Sequence, residues 1–114
     1  MQLRQLVMLY KGFSDPTRLR ILNLLCSRSH LKVGQIAEIL QIPQSTVSRQ
    51  LAQLRASTLI QDERDGTWVK YSIVESPIVK EGKLLQTVKI ASEQCPELKE
   101  DLDRTFELIG NEQK

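Results

Sequence analysis

Pro43, in "QIPQ", stands between two stretches whose apolar residues recur at helical spacing: Val33, Ile36, Ala37 and Leu40 before it, Val47, Leu51 and Leu54 after it. A residue that precedes proline is driven away from helical geometry, so the first stretch must stop there. The second must then restart at Gln44 or Ser45, either of which can open a helix. Two short helices joined by a tight turn over residues 33–57 predict a helix-turn-helix.

The flanking segments frame that unit. Leu3, Leu6, Val7 and Tyr10 predict a first helix, with Gly12 as its stop. In "SDPTRLRILNLL", Asp15 can accept from the free amides of a helix start and Pro16 suits the first helical position. Leu19, Leu22, Leu25 and Cys26 then line one face. After the fourth helix the period changes to two: Val69, Tyr71 and Ile73 alternate with Trp68, Lys70 and Ser72, and Asp65-Gly66 predicts a two-residue hairpin turn. Pairing Arg64 with Thr67 across that turn sets Ile60 opposite Tyr71, on the face of Val69. Beyond Pro77, Leu84, Leu85, Val88 and Ala91 predict a fifth helix, and Leu98, Leu102, Phe106 and Ile109 a sixth that starts at Cys95-Pro96. The expected fold is mainly α with a β-hairpin, a single winged helix-turn-helix domain over residues 1–114 with its wing at 59–73. Its terminal segments, 1–12 and 78–110, carry more apolar positions than one small core needs and are expected to form a homodimer seam.

The chemistry of the fourth helix follows from its geometry. At about 100° per residue, Val47, Leu51 and Leu54 form one buried stripe. The opposite face carries Ser45, Thr46, Ser48, Arg49 and Gln53 with the small Ala52 and Ala56, and the helix has no acidic residue. An α-helix fits the major groove of duplex DNA, where Arg can bridge guanine O6 and N7, Gln can pair with adenine, and Ser or Thr can serve bases or phosphates. A solvated surface helix would also be polar, but the preceding turn and the following hairpin favour DNA. We therefore expect Gln44, Ser45, Thr46, Ser48, Arg49 and Gln53 to meet the major groove, and Arg64, Thr67 and Lys70 of the wing to meet adjacent backbone or minor groove. The acidic Asp62, Glu63 and Asp65 temper the wing.

Charge agrees with this polarity. Residues 1–74 hold ten Lys and Arg against five Asp and Glu, whereas residues 75–114 hold six against nine, so a polyanion would prefer the first part. The apolar runs are too short for a bilayer crossing and "MQLRQ" is no signal-peptide core, so no membrane partner is expected and the location is expected to be cytoplasmic. There is no Gly-rich phosphate loop, no zinc-protease motif and one histidine without a nucleophile partner, so the expectation is that the chain is not an enzyme. A winged helix used to bind proteins is the rival reading.

The strings "SDPTRLRIL", "QIAEILQIPQSTVSRQLAQLR" and "LIQDERDGTWVKYSI" resemble the ArsR/SmtB family of bacterial winged-helix repressors over nearly the whole chain. The resemblance implies a homodimer on a palindromic operator of double-stranded DNA, released when an inducer binds. Many arsenic and cadmium sensors of that family carry "LCVC" at the start of the third helix, where this chain has "LKVG" with Lys32 and Gly34. The zinc and cobalt sensors use aspartate and histidines along the dimer helix, a set that "LLQTVKIASEQ" does not supply. His30 reads as a solvated loop residue.

Candidate sensing therefore falls to Cys95 and Cys26, the two thiols of the chain. Cys26 continues an apolar face and reads as a buried inert thiol. Cys95 sits at a helix start, where the dipole favours a thiolate while Glu93 and Glu97 oppose it. No cofactor is assigned. Arsenite or another thiophilic ion is one candidate inducer, and a sulfur or redox switch built from Cys26 and Cys95 is the other.

Overall fold

The computed structural model describes residues 1–80 and 83–110. In chain order the elements are α1 (Leu3–Lys11), α2 (Pro16–Ser27), β1 (Leu31–Lys32), α3 (Val33–Leu40), α4 (Gln44–Ala56), β2 (Ile60–Asp65), β3 (Trp68–Ile73), α5 (Pro77–Lys80), α6 (Lys83–Ala91) and α7 (Pro96–Ile109). The fold is a winged helix-turn-helix, mostly helical with a small antiparallel sheet.

Local chemistry accounts for most boundaries. Asp15 opens α2 by accepting from the Arg18 amide at 3.1 Å, with Pro16 in the first helical position. α3 stops at Leu40 because Gln41 turns left-handed (φ 59°, ψ 45°), and the Ile42 amide reaches back to Ala37 O at 3.2 Å before Pro43. Neither Gln44 nor Ser45 caps α4. Pro43 holds that position, its carbonyl accepting from the Thr46 and Val47 amides at 3.0 and 3.1 Å, and no side chain caps the turn. Gly12 closes α1 in right-handed geometry (φ −61°), so positive φ is not what demands glycine there. A Cβ at Gly12 would overlap Leu59 Cδ1 of the core, and close approach is the reason for the residue.

The hairpin register differs from the expected one by two positions. Ile60 pairs with Ile73, Asp62 with Tyr71, Arg64 with Val69 and Asp65 with Trp68, which leaves Gly66-Thr67 as the two-residue turn. Gly66 alone of the pair has positive φ (66°), as a turn with glycine in its first central position requires. A slip of two preserves the alternation of faces, so Ile60, Val69, Tyr71 and Ile73 still share one side. The strand β1 was not expected from the sequence. Leu31 pairs with Tyr71 and Lys32 with Lys70, giving the sheet order β1-β3-β2 and fastening the wing to the start of α3.

The core gathers Leu9, Ile21, Leu22, Leu24, Leu25, Leu31, Ile36, Ile39, Val47, Leu51, Leu54 and Leu59, so α2 is enclosed on more sides than a single stripe would give. Each such side chain contributes about 1.5–3 kcal/mol by leaving water. A buried ionic cluster ties α7 to the helix-turn-helix. Asp101, 1% exposed, accepts from Arg20 at 2.8 and 3.0 Å and from Arg104 at 3.5 Å. Arg20 and Arg104 also donate to the last carbonyls of α3, Leu40 O at 3.4 Å and Ile39 O at 2.7 Å. The hydrogen bond to Asp101 raises the Arg20 guanidinium above its ordinary value, against the opposing effect of burial.

Candidate nucleic-acid interface

α4 is oriented by its apolar stripe. Val47, Leu51 and Leu54 are buried in the core, and the Gln50 side chain accepts from Arg18 of α2 at 3.0 Å, which fixes the rotation of the helix. The consequence is that Gln44, Ser45, Ser48, Arg49 and Gln53 are exposed, Thr46 is half-buried, and Ala52 and Ala56 lie exposed among them. Among the described residues, no side-chain hydrogen bond or ion pair engages Ser45, Thr46, Ser48, Arg49 or Gln53. A continuous face of donors and acceptors without carboxylates is therefore open at the surface, and the first-turn amides of α4 accompany it with the positive end of the helix dipole.

The wing is placed beside this face by contacts at its root. Arg55 at the end of α4 donates to Asp62 of β2 at 3.2 Å. Arg64 and Thr67 are exposed, Thr67 within the turn itself. Lys70 is only half-exposed and lies 3.7 Å from Asp65, so its charge is partly spent inside the hairpin. Lys32, which the sequence did not single out for the wing, sits with its ammonium 4.9 Å from the centroid of the Trp68 ring. No sequence spacing announces that contact, because it depends on the short strand β1.

The two thiols are both free and half-buried. Burial pushes Cys26 up to about 11, with the nearby Lys89 charge pulling the other way, so this thiol is protonated at neutral pH. Cys95 holds the position before α7 without a side-chain capping bond, and its Sγ donates to Glu97 Oε1 at 3.5 Å. α2 and α7 pack with opposed directions along their contact: Arg20 meets Asp101, and one turn later Asn23 donates to Leu98 O at 3.1 Å. Counting one further turn in the sequence gives Cys26 near the end of α2 and Cys95 immediately before α7. His30 is half-buried immediately before β1 rather than fully solvated.

Cys26 also lines a cavity of about 630 Å³ bounded by the end of α2, β3 and α6. Large apolar side chains remain exposed on the terminal helices, with Leu3 76%, Tyr10 56%, Ile90 54% and Phe106 56% exposed. Among the described residues no helix is long and apolar enough to cross a membrane.

Residues 15–62 match the family model described as bacterial regulatory protein, arsR family. A chain described as an uncharacterized HTH-type transcriptional regulator of Methanocaldococcus jannaschii is 36% identical over 77 residues, which cover 68% of this chain and 86% of that one. The transcriptional repressor PagR of Bacillus anthracis is 38% identical over 81 residues, covering 71% of this chain and 81% of its own length. The crystal structure of PagR superposes with a TM-score of 0.64 at 34% identity, covering 78% of this chain and 94% of PagR. A homodimeric winged helix-turn-helix DNA-binding domain from Mycobacterium bovis, described as a possible ArsR-family regulator, superposes with a TM-score of 0.67 at 27% identity, covering 81% of this chain and 82% of that domain.

Proposed function

The chain belongs to the arsR family of bacterial regulatory proteins, DNA-binding transcriptional repressors of winged helix-turn-helix fold, and from that footing we propose that it acts as a homodimer that reads its operator with the exposed face of α4 and leaves it when an inducer acts on its thiols. The carrying observation is the open face around Arg49, held outward by the burial of Val47, Leu51 and Leu54. Gln44, Ser45, Thr46, Ser48, Arg49 and Gln53 enter the major groove. Arg64, Thr67 and Lys70 hold adjacent backbone, Lys70 after leaving Asp65.

Residues 33–57 form the reading unit, 59–73 the wing, and 1–12 with 78–110 the dimer seam. The seam is supported by the exposed apolar side chains of the terminal helices and by the homodimeric relative. Operator binding by fluorescence anisotropy tests the reading. Arg49→Ala should lower affinity for the selected operator by about 1–3 kcal/mol while leaving random DNA nearly unchanged, and Lys70→Ala should weaken both alike and flatten the salt dependence. Equal loss on every sequence for Arg49→Ala would remove that side chain from base reading.

For the inducer, Cys95 is the reacting thiol and the protonated Cys26 its partner. Among the described residues of one chain, no three His, Cys, Asp or Glu side chains are grouped to hold a metal. Trivalent arsenic or another soft ion would accordingly draw thiols from both protomers. The facing progression from Arg20–Asp101 to Asn23–Leu98 to Cys26 and Cys95 favours a second reading, a sulfur or redox switch in which the two thiols are bridged. Operator release by arsenite, cadmium, polysulfide and peroxide, run beside Cys26→Ser and Cys95→Ser, separates the two. Full response in the double variant would end thiol sensing altogether.

A further inference from the structure

The cavity beside Cys26 has walls of two kinds. Leu25, Ile73 and Leu85 supply apolar surface, and Arg28 and Lys89 supply positive charge. The Arg28 guanidinium gives its NH2 to Gly110 O, while its NH1 is buried and has no hydrogen-bond acceptor among the described residues. A buried donor of this kind is costly to leave unpaired and is uncommon in folded proteins. Lys89 has no carboxylate within ion-pairing distance among the described residues. Two carboxylates also line the cavity, Glu75 and Glu93, and both are exposed. Glu75 already has an interaction partner of its own. The Cys26 thiol, protonated at neutral pH, brings no negative charge.

We propose that this cavity binds a small organic anion, its carboxylate-like head held by Arg28 and Lys89 and its apolar body against Leu25, Ile73 and Leu85. The volume, about 630 Å³, is within the range of small-molecule sites. Charge-assisted hydrogen bonds from a guanidinium and an ammonium suit a carboxylate head better than a neutral one. The position matters as much as the chemistry. The occupant would touch Ile73 of the wing strand on one side and α6, part of the proposed dimer seam, on the other. The site requires nothing of Cys95, although Cys26, the other thiol of the proposed switch, forms part of its wall.

The test is calorimetric titration of the whole chain with hexanoate, with hexylamine and sulfate as arms that isolate charge sign and head group. Hexanoate should bind saturably, hexylamine should not, and sulfate should bind more weakly because it lacks the apolar body. Lys89→Gln, an exposed substitution without structural cost, should weaken hexanoate by at least about tenfold, and Arg28→Gln by at least as much. Absence of saturable hexanoate binding, binding indifferent to both substitutions, or sulfate binding as tightly as hexanoate would each overturn the proposal. Operator binding measured on the same preparations keeps the two conclusions apart. A chain that binds DNA but not hexanoate loses only this site, and one that binds hexanoate but not DNA loses only the repressor reading.

Discussion

Asp101→Asn removes one negative charge from beneath two guanidinium groups while keeping the shape of the side chain. In the native chain Asp101 accepts twice from Arg20, at 2.8 and 3.0 Å, and once from Arg104 at 3.5 Å. Breaking a buried ion pair by taking away one partner costs about 3–5 kcal/mol, because the remaining charge is left uncompensated. The Arg20 and Arg104 side chains keep 29% and 22% of their exposure, so water screens part of the loss and the lower end, about 3 kcal/mol, is expected. With an unfolding entropy of about 2.1 cal/mol/K per residue, a chain of 114 residues should then melt about 12 °C lower. Thermal unfolding followed by circular dichroism, at one fixed protein concentration, provides the measurement. The double variant Arg20→Met, Asp101→Leu should lose less than Asp101→Asn alone, since it leaves only Arg104, which has Glu100 at 3.6 Å. A loss below about 1 kcal/mol for Asp101→Asn would refute the view that this carboxylate joins α7 to the helix-turn-helix.

Alkylation of Cys26, followed in a Cys95→Ser background, should be slow at neutral pH and accelerate only as the pH approaches 11, because burial holds the thiol protonated. The same shift sets a stability difference against Cys26→Ser. Between the ordinary 9.0 and about 11 the unfolded chain releases a proton that the folded chain retains, so stability present below pH 9 declines by about 2 kcal/mol across that window. Urea titrations of both proteins at pH 8 and pH 10.5 would show it, and parallel curves would contradict the assigned burial. Gly12→Ala and Gly66→Ala separate two reasons for glycine. The first drives a methyl into the buried Leu59 and should cost about 1–3 kcal/mol, whereas the second has open space and only a φ of 66° to oppose it, about 1 kcal/mol. Equal costs by chemical denaturation would contradict the packing explanation for Gly12.

What could be read from the chain alone was whatever a single element decides for itself. Asp15 and Pro16 announced the start of α2, the residue before Pro43 could not continue a helix, and the spacing of Val47, Leu51 and Leu54 placed Arg49 outward. The hairpin register could not be read so directly. Asp65-Gly66 and Gly66-Thr67 both make acceptable turns, and a two-residue slip changes no face, so the hydrophobic pattern is silent between them. β1 is only two residues long, too short to show any period, and Lys32 over Trp68 was hidden with it. The Arg20–Asp101 pair joins positions 81 apart, and no local rule reaches that far. The same holds for the cavity, whose walls come from three separate segments of the chain.

Trp68 is the sole tryptophan of the chain, and it stands in the wing with the Lys32 ammonium above its ring. An indole's emission is sensitive to a charge held against it. Ultraviolet excitation therefore reports on one place, the joint between the strand that carries the wing and the two residues that fasten it to α3. Any effector that shifts the hairpin relative to α4 would change the colour or yield of that light, with no dye attached and no second chromophore of the same kind to obscure it.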